Sequence, residues 1–180
     1  MQNIKEKIIT TNNLLRNIPE HKKLLIALFY YKYLSDRLLF RASFLLEEPE
    51  NNLQQSQAIY TEAWADDARS DLINDIKHEC GYLIDPTFTI NGLKDKINNH
   101  TLQTNDIKIA FTQLNKTTNT TFQKVFTKVN VDDINNEIMY QVIDNLATFQ
   151  VINPDNNAKS NILESAEVFL NKITTIINEL

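Results

Sequence analysis

Glycine is almost missing: two residues in a chain of 180, Gly81 and Gly92, and they are not neighbours. A loop that cradles phosphates or a nucleotide needs clustered glycines so that the backbone can approach its ligand, so no such loop can be built here. Proline is scarce too, at four residues, and β-branched residues seldom alternate with polar ones. Together these favour an all-α protein. A lone cysteine, Cys80, excludes an internal disulfide, and no CxxC or Cys/His cluster points to zinc. The longest apolar run, Leu24 to Tyr31, is too short to span a membrane. Residues 1–10 alternate Lys, Glu and apolar side chains and do not read as a signal peptide, so a cytoplasmic protein is expected. Three Asn-x-Thr triplets, at Asn99, Asn115 and Asn119, carry no meaning without a secretion signal.

What is present is dominated by one stretch, Leu14 to Glu48, with LLIALFYYKYLSDR at its heart. Leu24, Leu28, Tyr31, Leu34, Leu38 and Leu45 recur at helical spacing, and Leu25, Phe29 and Tyr33 form a second stripe beside them. An apolar face that wide belongs to a helix wrapped by neighbours on more than one side. Pro19 suits a first helical turn and Glu20 suits the positive end of the dipole. Such a helix would be roughly 40 Å long. The expected fold is a multi-helix bundle organised around it.

The rest of the chain reads as shorter helices. Asn3 to Arg16 should come first, with Ile4, Ile8, Ile9 and Leu15 inward. After a breaker-rich loop at 47–52, helices are expected at Leu53–Trp64 and from Asp66-Asp67 to Cys80, the latter with Leu72, Ile73, Ile76 and Cys80 inward and stopped by Gly81. A short extended passage through Asp85-Pro86 leads to a helix at Ile90–Asn98. Ile107–Lys116 should follow, capped by Asn105 or Asp106, with Ile107, Ala110, Phe111 and Leu114 inward. Phe122–Phe126 comes after a polar loop, and a helix is expected from about Ile134 to Phe149. After a break at Asn153–Asn157, Ser160–Leu180 should turn Ile162, Ala166, Phe169, Ile173, Ile176 and Leu180 to one face. Residues 1–152 would form one helical domain and 153–180 a final helix leading out of it.

Charge is unevenly spread. Residues 1–46 hold eight Lys/Arg against three Asp/Glu, while 47–180 hold ten against twenty, within a net charge of −5. A basic helical unit on an acidic body is compatible with a nucleic-acid contact, and equally with a solvated helix face. The constellations that carry catalysis are wanting. His78, Glu79 and Cys80 are adjacent, so on a helix they diverge and cannot share a metal. Ser35 and Asp36 are helical neighbours, not a nucleophile and its base. Asp66-Asp67 and Asp132-Asp133 suit helix starts. Tyr30, Tyr31 and Tyr33 can stack on bases or pack in a core.

The string Leu15-Arg16-Asn17, Glu20-His21-Lys22, then Leu28-Phe29-Tyr30-Tyr31-Lys32-Tyr33-Leu34-Ser35-Asp36-Arg37 resembles the start of the methyltransferase (M) subunit of type I restriction-modification systems. Tyr33–Arg37 with Lys32 ahead of it is the specific part; Gly81-Tyr82-Leu83-Ile84 and Phe122–Phe126 agree in order and spacing. Asn17 stands where that family usually has Gly, and His21 where it has Tyr. The resemblance implies transfer of a methyl group from S-adenosylmethionine to adenine N6 in DNA, by a domain with a Gly-rich loop and an Asn/Asp-Pro-Pro-Phe/Tyr motif that holds the flipped base. Neither is here, and Asn153-Pro154-Asp155 reads as a turn. The chain is therefore expected to be the family's non-catalytic helical domain. No cofactor is expected in this chain, and S-adenosylmethionine in the full-length parent.

The implied role is subunit assembly and closure around DNA. The implied partners are the specificity and restriction subunits, a second methyltransferase subunit, and DNA through the complex, with no membrane. Candidate phosphate contacts are Lys22, Lys23, Lys32, Arg37 and Arg41, with the alternative that Lys32 and Arg37 make buried ion pairs with Asp36 or a later acidic residue. The competing reading is a stand-alone helical interaction or regulatory module without a DNA role. A reading frame that runs past Leu180 into the two missing motifs would separate them.

Overall fold

Twenty-five consecutive helical residues, His21–Leu45, form the axis of the molecule. The computed structural model describes residues 4–46, 52–117, 119–127, 129–152 and 162–180, and among them there are nine α-helices and no strand. They are α1 (Ile4–Leu15), α2 (His21–Leu45), α3 (Leu53–Ala65), α4 (Ser70–Cys80), α5 (Ile90–Asn98), α6 (Thr104–Asn115), α7 (Thr120–Phe126), α8 (Asn136–Ala147) and α9 (Ile162–Asn178). Single 3-10 turns at Asp67–Arg69 and Pro86–Phe88 precede α4 and α5. None of the described helices is long and apolar enough to cross a membrane.

α2 touches α1, α3, α4, α5, α7 and α9. That encirclement is why both of its apolar stripes, save the half-buried Leu45 at its end, and everything from Ala27 to Phe40 are buried. Aromatic rings fill the layer around it. Tyr31 meets Phe111 and Phe126 at 5.6 and 6.0 Å, Tyr30 meets Phe122 and Phe126, and Tyr33 stacks on Phe169 of α9 at 4.5 Å. The tyrosine cluster is thus core packing. α8 lies beyond α1 and α5, tied to α1 by Asn145, which donates to Thr11 Oγ1 at 2.8 Å and accepts from Lys7 Nζ.

The passage between α4 and α5 is irregular yet buried, so its peptide groups need partners from side chains. They get them. Tyr60 Oη donates to Ile84 O (2.9 Å), Gln57 Nε2 to Pro86 O (2.9 Å) and Tyr31 Oη to Phe88 O (2.8 Å). The N–H of Ile90 donates to Ser35 Oγ at 2.9 Å. Gly81 ends α4 at φ 77°, a left-handed position that glycine takes without strain.

Local details differ from the sequence expectation in instructive ways. α2 begins at His21, so Pro19 lies in the preceding turn and not in the first helical turn. Glu20 caps it in a left-handed conformation (φ 55°), whereas Asn17, the residue suited to that role, does not adopt positive φ. Ile18 decides this: it is buried, its N–H donates to Leu15 O and its carbonyl accepts from His21 N–H, which fixes the turn a few residues later. Ile9 is 37% exposed, one step off the buried line of Ile8, Thr11 and Leu15. Asp66 caps a 3-10 turn, with α4 starting only at Ser70. α6 begins at Thr104 behind a capping box in which Gln103 is the cap and Asp106 returns a bond to its N–H at 2.9 Å. α8 is shorter than expected at both ends: Asn135 caps its start, and it stops at Ala147. On α9, Ala166, Ile173 and Ile177 are buried, while Leu180, expected on the same face, lies past its end and is 43% exposed. The expected breaks at 47–51 and 153–157 lie outside the described residues.

Candidate nucleic-acid interface

Cations at a helix N-terminus oppose the macrodipole and so do not serve helix stability. α2 nevertheless opens His21-Lys22-Lys23. Glu20 offsets part of this by pairing with Lys23 at 2.6 Å, both side chains being more than half exposed. Lys22 is partly exposed and makes no ion pair with a described residue. These two lysines project basic charge from the amino-terminal end of the axis.

The three remaining candidates are placed differently. Lys32 and Asp36 are fully buried one helical turn apart, Nζ to Oδ1 2.7 Å, and the ammonium lies 5.4 Å from the centroid of the Phe149 ring. The second oxygen of Asp36 accepts the N–H of Val151 at 3.1 Å. Burial raises the Asp36 carboxyl above the ordinary carboxylate range, opposed by Lys32 and by the Val151 N–H. Arg37 is 3% exposed and donates to Tyr33 Oη at 2.8 Å. Burial raises the Tyr33 phenol too, against the pull of Arg37. Arg41 sits near the carboxyl end of α2, partly exposed, paired with Glu79 of α4, its guanidinium 5.0 Å from the Phe44 ring centroid.

Each residue of the Tyr33–Arg37 string therefore has an interior partner. Tyr33 accepts from Arg37; the carbonyl of Leu34 accepts from Tyr82 Oη at 2.9 Å; Ser35 holds Ile90; Asp36 holds Lys32 and Val151. Ser35 and Asp36 face different segments and no nucleophilic pair exists. Cys80 is buried on α4, which pushes its thiol up to about 12, while His78 is exposed and Glu79 is taken by Arg41. Among the described residues no group of three or more His, Cys, Asp or Glu side chains is arranged to hold a metal ion.

No protein-family model matches the chain, and no curated protein matches it. Among solved structures it is similar to the crystal structure of the type I restriction-modification system methyltransferase subunit from Streptococcus thermophilus, with a TM-score of 0.78 and 22% identity. The likeness is one of fold. It covers 96% of this chain and 38% of the other, so the chain spans well under half the length of the protein it resembles. At that identity the shared architecture is what the comparison carries. The all-helical arrangement around α2 is common to both, and the string that suggested the resemblance lies at its centre.

A cleft of about 850 Å³ opens between the end of α3, the carboxyl ends of α4 and α6, and the extended Tyr82–Asp85 passage. Trp64, Lys77, His78 and Lys116 line it. These residues lie on three helices spread over fifty positions, with no periodicity linking them, so the sequence offered no signal for the site.

Proposed function

We propose that this chain is a non-catalytic helical portion of a type I restriction-modification DNA adenine-N6 methyltransferase subunit, serving subunit assembly and DNA clamping. The observation that carries the reading is the fold shared over 96% of the chain with the Streptococcus thermophilus methyltransferase subunit, with the Lys32–Arg37 string at its core. In this reading S-adenosylmethionine is bound by a catalytic domain of the full-length parent. The partners are the specificity and restriction subunits and a second methyltransferase subunit. In this reading the domain is residues 1–152 together with α9, which packs on α2.

Burial divides the five candidate cations between two tasks. Lys22 and Lys23 at one end of α2, and Arg41 at the other, reach phosphates; Lys32 and Arg37 fix the interior from which they project. Each phosphate contact releases condensed counterions, so affinity for duplex DNA should fall steeply with salt. Lys22→Ala/Lys23→Ala should weaken binding uniformly across sequences and flatten the log K against log salt slope by about 2, leaving the melting temperature unchanged. A mobility-shift titration at several salt concentrations reads this. An unchanged slope in the double variant would remove these lysines from the interface. Absence of duplex binding at low salt would favour a helical interaction module without a DNA role.

A further inference from the structure

The Trp64 cleft is built from the groups that hold a flat ring beside an anion, and the fold gives them no other use. Lys23, Lys32, Arg41, Arg69, Lys94, Lys96 and Lys108 each pair with a carboxylate. Lys77 and Lys116, which face this cleft from α4 and from the end of α6, pair with none among the described residues, and both are exposed. His78 joins them on the α4 side. Trp64 is 39% exposed and is held by an edge contact with the buried Tyr60, ring centroids 5.7 Å apart. An indole fixed on one side and open on another is a stacking platform for a base or similar ring.

The polar groups of the cleft are unspent as well. Leu83 lines it from the extended passage, and its N–H and C=O pair with no described residue. Thr117, which also lines it, has a buried hydroxyl oxygen with no hydrogen-bond partner among the described residues. Gln113 accepts the Asp85 N–H at 3.1 Å through its oxygen, which leaves its amide N–H groups as donors. The one carboxylate in the lining, Asp85, is engaged by the N–H and hydroxyl of Thr87 at 2.8 and 2.7 Å. A volume of about 850 Å³ falls in the range of small-ligand sites, which run from about 300 to 1,000 Å³.

We infer that this cleft binds a nucleoside phosphate, with the base against Trp64 and its edge read by the Leu83 peptide, and the phosphate between Lys77 and Lys116. An acidic peptide would use the lysines, but it would leave the indole face and the ring-edge hydrogen bonds without a purpose. The site lies on α3, α4 and α6, away from the lysines assigned to duplex DNA on α2, so the two readings stand or fall separately.

Trp64 is the only tryptophan, so its emission reports the site directly. The full chain, excited at the red edge of the indole band, is titrated with adenosine 5′-monophosphate, with inorganic phosphate and with an oligoglutamate peptide. Saturable quenching by adenosine monophosphate is expected. It should weaken at least about tenfold in Lys77→Ala/Lys116→Ala, since two charge-assisted hydrogen bonds are lost. Equilibrium dialysis of Trp64→Leu should show a parallel loss. Both variants alter exposed positions, and an unchanged far-UV circular dichroism spectrum certifies their fold. The inference is overturned by the absence of saturable quenching at millimolar nucleotide, by equal affinity in the double lysine variant, or by saturation with oligoglutamate and not with the nucleotide. Inorganic phosphate that binds as tightly as the nucleotide would also overturn it, because the ring would then contribute nothing.

Discussion

The sequence leaves Lys32 open between a phosphate contact and a buried pair with Asp36; in the structure the two are an interior ion pair. Removing two charges from water is costly, and a buried pair is tolerable only when both partners remain and their other valences are met. Asp36 meets them with the Val151 N–H, Lys32 in part with the Phe149 ring. Lys32→Met strands a buried carboxylate and should cost about 3–5 kcal/mol in urea unfolding. Lys32→Met/Asp36→Asn should cost less than the sum of the single variants, since the two positions are in contact. The pH dependence has a definite sign. Burial raises the folded-state pKa of Asp36, so between its ordinary value and that raised value the native chain holds a proton that the unfolded chain has released. Across that window the contribution of Asp36 to stability falls as pH rises. Asp36→Asn should remove that falling portion from a plot of stability against pH.

At the scale of elements, α2 and the spacing of most shorter helices were legible because apolar periodicity is a strong signal over a long window. α5 occupies Ile90–Asn98, as its pattern predicted. The helix starts were less legible, because a cap is a single residue whose choice depends on packing: Ile18 sets the start of α2, and Gln103 displaces the expected Asn105 or Asp106. The side-chain bonds from α2 and α3 to the 82–90 passage could not be read at all, since they join positions far apart in sequence. For the same reason the candidate cations could be counted but not sorted into buried and exposed. Gly92 shows how closely α5 approaches the preceding turn. A Cβ there would collide with the carbonyl oxygen of Pro86, although its backbone is ordinary helix. Gly92→Ala, usually favourable in a helix, should here destabilise by about 1–3 kcal/mol, measurable by thermal or urea melting.

At the scale of the whole molecule, α9 is part of the core although 116 residues lie between Leu45, the end of the axis, and its own first residue, Ile162. It covers α2 through Ala166, Ile173 and Ile177 and through the Tyr33–Phe169 stack. A chain ending at residue 152 should therefore uncover aromatic surface on α2, bind a hydrophobic dye and melt at lower temperature or self-associate. A chain of unchanged melting temperature would show that 1–152 stands alone. The charge asymmetry has its structural expression here as well. The basic residues of 1–46 are divided among α1, the turn after it, the ends of α2 and the interior of α2, so only part of the positive charge counted in the sequence is offered to a partner.

The Tyr33–Arg37 string is enclosed on every side by the segments it holds. Drift over generations acts differently on such a string than on a surface. Any exchange within it must satisfy Tyr82, Ile90 and Val151 at once, whereas Lys22 or Lys77 can change without disturbing a neighbour in the core. Chains built on such a string can keep one interior while their exteriors take up different work.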